Sequence, residues 1–183
     1  MRVVFVVSRR SIGVNLTKYI RDIPNFPKPG ILFKDITPLL SDPTAFRYSI
    51  DRLAEEFASH PIDAISAAEA RGFLFAAPLA YLLKKPLIPL RKPGKLPYRT
   101  HKLKYELEYG QAELHVHVDG IVAGARVLLV DDLLATGGTL EAACKLTEQA
   151  GGIVHRCCVI VELGFLNGRE KLSPHDVFSL LRY

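Results

Sequence analysis

The sequence predicts a single-domain α/β fold built on a mostly parallel sheet, and three observations predict it. Apolar runs alternate with stretches of helical periodicity along the chain. Two of those runs, 62–68 and 126–130, lack the in-out alternation of a half-exposed strand and read as strands covered on both faces. The second run leads straight into a glycine turn and a helical pattern, the arrangement of strand ends in open α/β sheets. The chain has 183 residues, 49% of them hydrophobic and 23% charged. That is enough for one full core and too little for two, and no low-complexity tract points to disorder.

Taken in order, residues 1–14 hold an apolar run of only five, Val3 to Val7. It is shorter than a secretory core of roughly 7–15 residues and far below a membrane span. Residues 1–14 therefore read as an extension and 15–183 as the domain. Asn15–Arg21 suits a short helix, after which Pro24, Pro27 and Pro29 force extended backbone up to Gly30. A short strand is expected over Ile31–Ile36. Asp42-Pro43 is a helix start, with Asp as N-cap and Pro at the first helical position, and Phe46, Ile50, Leu53, Ala54 and Phe57 recur at helical spacing. Beyond the run 62–68, a helix is expected over Gly72–Leu83 and a strand over Leu87–Leu90. Strands follow over Glu113–Val118 and Arg126–Val130, then a helix over Thr139–Ala150 and a strand over Val154–Leu163. The intervening Lys92–Tyr109, rich in proline and lysine, reads as a loop. Loops above roughly 12–15 residues in compact domains are usually lids or binding loops.

The net charge of +5 suits a nucleic acid or a small polyanion, so its location decides more than its total. Between Lys84 and Lys104 stand eight Lys or Arg and no Asp or Glu, which marks one anion-facing region. The three cysteines, two of them adjacent at Cys157 and Cys158, offer neither a disulfide framework nor zinc-ligand spacing. A reducing cytoplasm fits that usage.

The chemistry concentrates in Val127 to Thr139, where a buried strand runs into Asp131-Asp132, a glycine turn and a helix. Backbone N–H groups around Gly137 and Gly138, the hydroxyls of Thr136 and Thr139, and the positive end of the helix suit a phosphate. Two carboxylates at a buried strand end repel each other without a partner, so hydroxyl groups or a metal should meet them. No Lys stands where a P-loop needs one and no G-x-G-x-x-G is present, which removes ATP-hydrolase and nicotinamide-enzyme readings. A second constellation, Glu69-Ala70-Arg71-Gly72, also lies between a strand and a helix. A third, Phe26 to Ile36, includes Leu32 and Phe33, the latter a core candidate by itself. A fourth is formed by Arg91, Lys92 and Lys95 with Glu108 and Tyr109 at the far end of the basic segment.

Val127–Thr139 resembles the phosphoribosyl pyrophosphate (PRPP) signature of the type I phosphoribosyltransferases, and the four segments in this order resemble the adenine branch of that family. The resemblance implies the type I fold with a small N-terminal hood and a mobile lid loop, and a reaction that converts adenine and PRPP to AMP and pyrophosphate. It implies that Asp131 and Asp132 hold the ribose hydroxyls and that Ala135, Thr136, Gly137, Gly138 and Thr139 hold the 5′-phosphate. Glu69, Ala70, Arg71 and Gly72 would form the pyrophosphate loop, with a cis non-proline bond within it and Arg71 near the base. Arg91, Lys92 and Lys95 would meet pyrophosphate. The backbone of Leu32 would read the adenine edge while Phe33 stacks on it. Glu108 and Tyr109 would close the lid, and Glu108 would face the imidazole edge of the base as acid or hydrogen-bond partner. Mg²⁺ carried by the substrate, rather than by a protein metal cluster, is the implied cofactor, and a homodimer the implied assembly. No nucleic-acid or membrane partner is expected. Lys34 departs from the Arg common in relatives, and its role stays open. Two alternatives also stay open: a PRPP-binding transcriptional regulator of the same fold, and a phosphoribosyltransferase for another purine.

Overall fold

The computed structural model describes residues 13–106 and 110–183. The chain divides into two compact units, residues 1–49 and 50–183. In the first, a 3-10 turn, Leu16–Tyr19, stands where a helix over Asn15–Arg21 was expected. Asn15 caps it by accepting from Thr17 N at 3.1 Å. The proline run then lies in a hairpin of β1 (Arg21–Pro24) and β2 (Leu32–Asp35), antiparallel with Asp22 opposite Lys34 and Ile23 opposite Phe33. Two cross-strand ion pairs hold it, Arg21 to Asp35 and Lys34 to Asp22, both at 2.6 Å. Lys34 is thus a buried structural cation whose charge is matched across the hairpin. Phe26 meets Phe33 edge to face, ring centroids 5.1 Å apart. A helical turn, α1 (Thr37–Ser41), follows, and Asp42 caps α2 (Pro43–Phe57) by accepting from Thr44 N at 2.9 Å and Ala45 N at 2.8 Å.

The second unit is organised by a five-stranded, all-parallel sheet in the order β4-β3-β7-β8-β9. Its strands are β3 (Ala64–Ala68), β4 (Leu87–Leu90), β7 (Arg126–Leu134), β8 (Ile153–Glu162) and β9 (Val177–Arg182). β3 is buried at all five positions, whereas β4 alternates exposed and buried as befits an edge. Crossovers run through α3 (Gly72–Leu83), α4 (Gly138–Gln149) and the short α5 (Gly168–Leu172). The core gathers Leu90, Leu114, Val127, Leu129, Leu140, Leu146, Cys157 and Val159. All three cysteines are buried and free, Cys144 and Cys157 with sulfurs 3.6 Å apart.

The largest departure from expectation lies in the basic segment. Residues 100–106 are not loop but strand β5 (Thr100–Glu106), paired antiparallel with β6 (Gln111–His117). Leu103 and Tyr105 turn onto the core while Lys102, Lys104 and Glu106 stay exposed. Two backbone bonds between Arg91 and His115, at 2.9 and 2.8 Å, tie this hairpin to the end of β4. β7 also runs four residues beyond its expected end at Val130, so Asp131 and Asp132 are strand residues. Residues 164–183, for which no element was predicted, supply a 3-10 turn, α5 and the edge strand β9. Among the described residues no helix is long and apolar enough to cross a membrane.

Candidate active site

The chain leaves β3 toward β4 on one side and leaves β7 toward β8 on the other, so strand order reverses between these two neighbours. Open α/β sheets bind ligands at the carboxyl ends of strands at such a point. Ala67 pairs with Val130 there, which brings Glu69–Gly72 beside Asp131 and Asp132. Only glycine permits this closeness at position 72, since a Cβ would stand 2.8 Å from Val130 O and 3.1 Å from Asp131 Oδ1. The peptide bond between Glu69 and Ala70 is cis.

Both aspartates are buried, and Asp132 N donates to Asp131 Oδ1 at 2.9 Å. Burial pushes the Asp131 carboxyl well up, and the neighbouring Asp132 charge adds to the shift. Burial raises Asp132 as well, against the pull of Arg71. Arg71 Nε lies 3.0 Å from Asp132 Oδ2, an ion pair. Asp132 Oδ2 is a buried acceptor with no donor on it. A buried polar atom without a hydrogen bond costs about 1–3 kcal/mol, which the nearby Arg71 cation offsets in part.

Beyond β7 the chain turns through Gly137, whose φ of +87° lies in the left-handed region, into α4. No side chain caps that helix, leaving the N-terminal end of a 12-residue dipole to an outside acceptor. Arg71, Asp131, Asp132 and the turn from Ala135 to Thr139 line one cleft of about 310 Å³. A second, of about 640 Å³, is lined by Glu69, Lys92, Lys104, Tyr105 and Glu113 and shares Thr139 with the first. Glu69 Oε2 accepts from Arg91 Nε and from Lys92 N, each at 3.0 Å. The bond from Arg91 is the main reason its carboxyl sits below the usual range.

Residues 41–180 match the family described as phosphoribosyl transferase domain. The adenine phosphoribosyltransferase of Maridesulfovibrio salexigens is 57% identical over 169 residues, which span 92% of this chain and 99% of that one. The chain belongs to the adenine phosphoribosyltransferase family. A crystal structure of the adenine phosphoribosyltransferase from Thermoanaerobacter pseudethanolicus superposes with a TM-score of 0.89 at 54% identity, covering 92% of this chain and 98% of that one. The Saccharomyces cerevisiae enzyme, solved with an imino-altritol bisphosphate and adenine, gives a TM-score of 0.85 at 42% identity, covering 91% and 96%.

Set in this adenine phosphoribosyltransferase frame, the structure brings Arg71, Asp131, Asp132 and Ala135–Thr139 into one cleft, and Glu69 and Lys92 into the adjoining one. Arg91 borders the second cleft through its bond to Glu69. Lys95 lines neither and makes a backbone turn to Lys92 O. Leu32 and Phe33 lie on β2 of the first unit, Leu32 exposed. Glu108 and Tyr109 lie outside the described residues. Sequence reasoning gave no individual site role to Lys104, Tyr105 or Glu113, which alternation in 101–105 and 112–116 could have placed on a hairpin facing the site.

Proposed function

We propose that this protein makes AMP from adenine and PRPP, releasing pyrophosphate. The observation that carries the reading is the buried Asp131–Asp132 pair with its undonated Asp132 Oδ2, set at the strand-order reversal and followed by an uncapped helix start. Two ribose hydroxyls supply the donors this pair lacks, and the 5′-phosphate takes the N–H groups of Ala135–Thr139. Glu69–Gly72, Arg91 and Lys92 take the pyrophosphate, with Lys95 reaching it from its turn. Mg²⁺ would enter carried by PRPP, and the carboxylate oxygens of Asp131 and Asp132 are of the hard type that suits it. The chemistry it would supply there is charge neutralisation at the pyrophosphate. Asp131 and Asp132 hold the ribose while positive charge grows at its anomeric carbon, and Arg91 and Lys92 stabilise the negative charge that leaves. Leu32, Phe33, Glu108 and Tyr109 receive their roles by resemblance: the first two at the base, the others in a lid that excludes water.

Incubation with PRPP, Mg²⁺ and each purine tests the reading. AMP should form from adenine, with hypoxanthine discriminated by up to about 10⁴–10⁵, because a 6-oxopurine reverses the donor and acceptor pattern that the Leu32 backbone would read. Comparable kcat/KM for the two bases would overturn the adenine assignment and leave PRPP chemistry standing. Absence of any nucleotide product would remove both.

A homodimer in the cytoplasm completes the proposal. Leu74, Tyr81 and Leu82 on α3 are exposed at helical spacing, and such an apolar face supports a partner surface. Sedimentation should give about twice the chain mass of 20.3 kDa, and a fully active monomer would exclude the dimer.

A further inference from the structure

Glu162 ends β8 almost wholly buried, and neither it nor the residue that holds it has a role in the reaction proposed above. Arg169, on α5, donates from Nε to Oε1 at 2.6 Å and from Nη2 to Oε2 at 2.7 Å, a two-pronged pair. Ser179 Oγ on β9 donates to Oε2 at 2.8 Å, and Arg182 Nε stands 3.5 Å from Oε1. Arg169 also donates from Nη1 to Val177 O at 2.8 Å. One side chain therefore fastens α5 to both β8 and β9.

The residue before it, Gly168, opens α5 and lies directly against the glycine turn. A Cβ on Gly137 would stand 2.6 Å from Gly168 O, while one on Gly168 would overlap Ala135 O and approach Leu134 Cδ1 to 2.9 Å. The two backbones touch with no side chain between them, so where α5 sits decides what shape the turn can hold.

We propose that Arg169 is a positioning residue for 5′-phosphate binding: by clamping α5 to Glu162 it fixes the wall against which the Ala135–Thr139 turn is shaped. This rests on the reading that the turn takes the 5′-phosphate. Arg169 lines neither cleft, so the clamp acts through the contact of Gly168 with Ala135 and Gly137 rather than on the substrate itself.

Arg169→Lys tests it, because lysine keeps the charge but cannot form the two-pronged pair. Steady-state kinetics would vary adenine and PRPP separately, and calorimetry would measure ribose 5-phosphate binding. The KM for PRPP and the Kd for ribose 5-phosphate should rise together by roughly 3- to 30-fold, the range of coupling between packed neighbours. The KM for adenine and kcat should stay within about twofold of wild type. Gly168→Ala, which leaves Arg169 intact and pushes on the turn directly at Ala135 O, should give the same selective loss. A lowered Tm with ribose 5-phosphate binding unchanged in both variants would overturn the clamp. Equal losses for adenine and ribose 5-phosphate would overturn it too. Failure of the wild type itself to bind ribose 5-phosphate would overturn the phosphate assignment, and the clamp with it.

Discussion

Glu69, just past β3, and the Asp131–Asp132 pair, at the end of neighbouring β7, are carboxylates in opposite conditions. Glu69 already has its donors, Arg91 Nε and Lys92 N, and is held ionised by them. Burial pushes both aspartates toward neutrality, the Asp132 charge adding to the shift at Asp131 and Arg71 opposing it at Asp132, and Asp132 Oδ2 accepts no hydrogen bond. A satisfied carboxylate holds the protein's own parts in place. An unsatisfied buried pair is costly in the empty protein and makes physical sense when a ligand brings the missing donors. On the proposed reading the contrast gives the two strand ends different work: Glu69 would orient the loop and cations for pyrophosphate, and Asp131–Asp132 would bind substrate directly.

Asp132→Asn is expected to show the largest effect. It removes a charged acceptor for a ribose hydroxyl, a bond worth about 1.5–3 kcal/mol, and kcat/KM for PRPP should fall by roughly 10- to 150-fold. Circular dichroism should show the fold intact. Glu69→Gln should cost less, about 2- to 10-fold, because it loosens Arg91 and Lys92 without removing a group that meets the sugar. Its loss should concentrate in the KM for pyrophosphate in the reverse reaction. A drop for Glu69→Gln equal to that for Asp132→Asn would erase the distinction between the two strand ends.

The β7 end was legible in the sequence because its chemistry is contiguous: an apolar run, two carboxylates, glycines and a helix occupy thirteen consecutive residues, 127–139. Strand β5 was not, because Lys102 and Lys104 on its exposed face made a seven-residue strand read as a charged loop. Its inward residues, Leu103 and Tyr105, show their purpose only once the core is assembled. Gly168 was invisible for a related reason. What requires glycine there is the turn at Ala135, thirty-three positions away in sequence, and α5 is too short to carry a periodic signal. Lys34 read only as a departure from the Arg common in relatives, and the cross-strand register with Asp22 gives its charge a partner.

The smallest expected effect is on stability, and its sign separates the two strand ends again. Asp131 has a folded pKa above its ordinary value of 3.8, so between those two values the native state binds more protons than the unfolded chain. Its contribution is most favourable below about pH 4 and is lost as the pH rises through the folded value. Asp131→Asn removes the titration, so the variant should gain on wild type as pH increases from 4 toward 8. For a chain of 183 residues a gain of about 1 kcal/mol is roughly 2–4 °C in Tm. Glu69 runs the other way. Its folded pKa is lowered, so its contribution is present above its ordinary value and fades as the pH falls through the folded one. Glu69→Gln should therefore be less stable than wild type at neutral pH and approach it in acid. Thermal unfolding of the three proteins without ligand, from pH 4 to 8, measures both. A gap between wild type and Asp131→Asn that does not change with pH would show that the pair carries no electrostatic strain awaiting a ligand, and would break the comparison at its more important end.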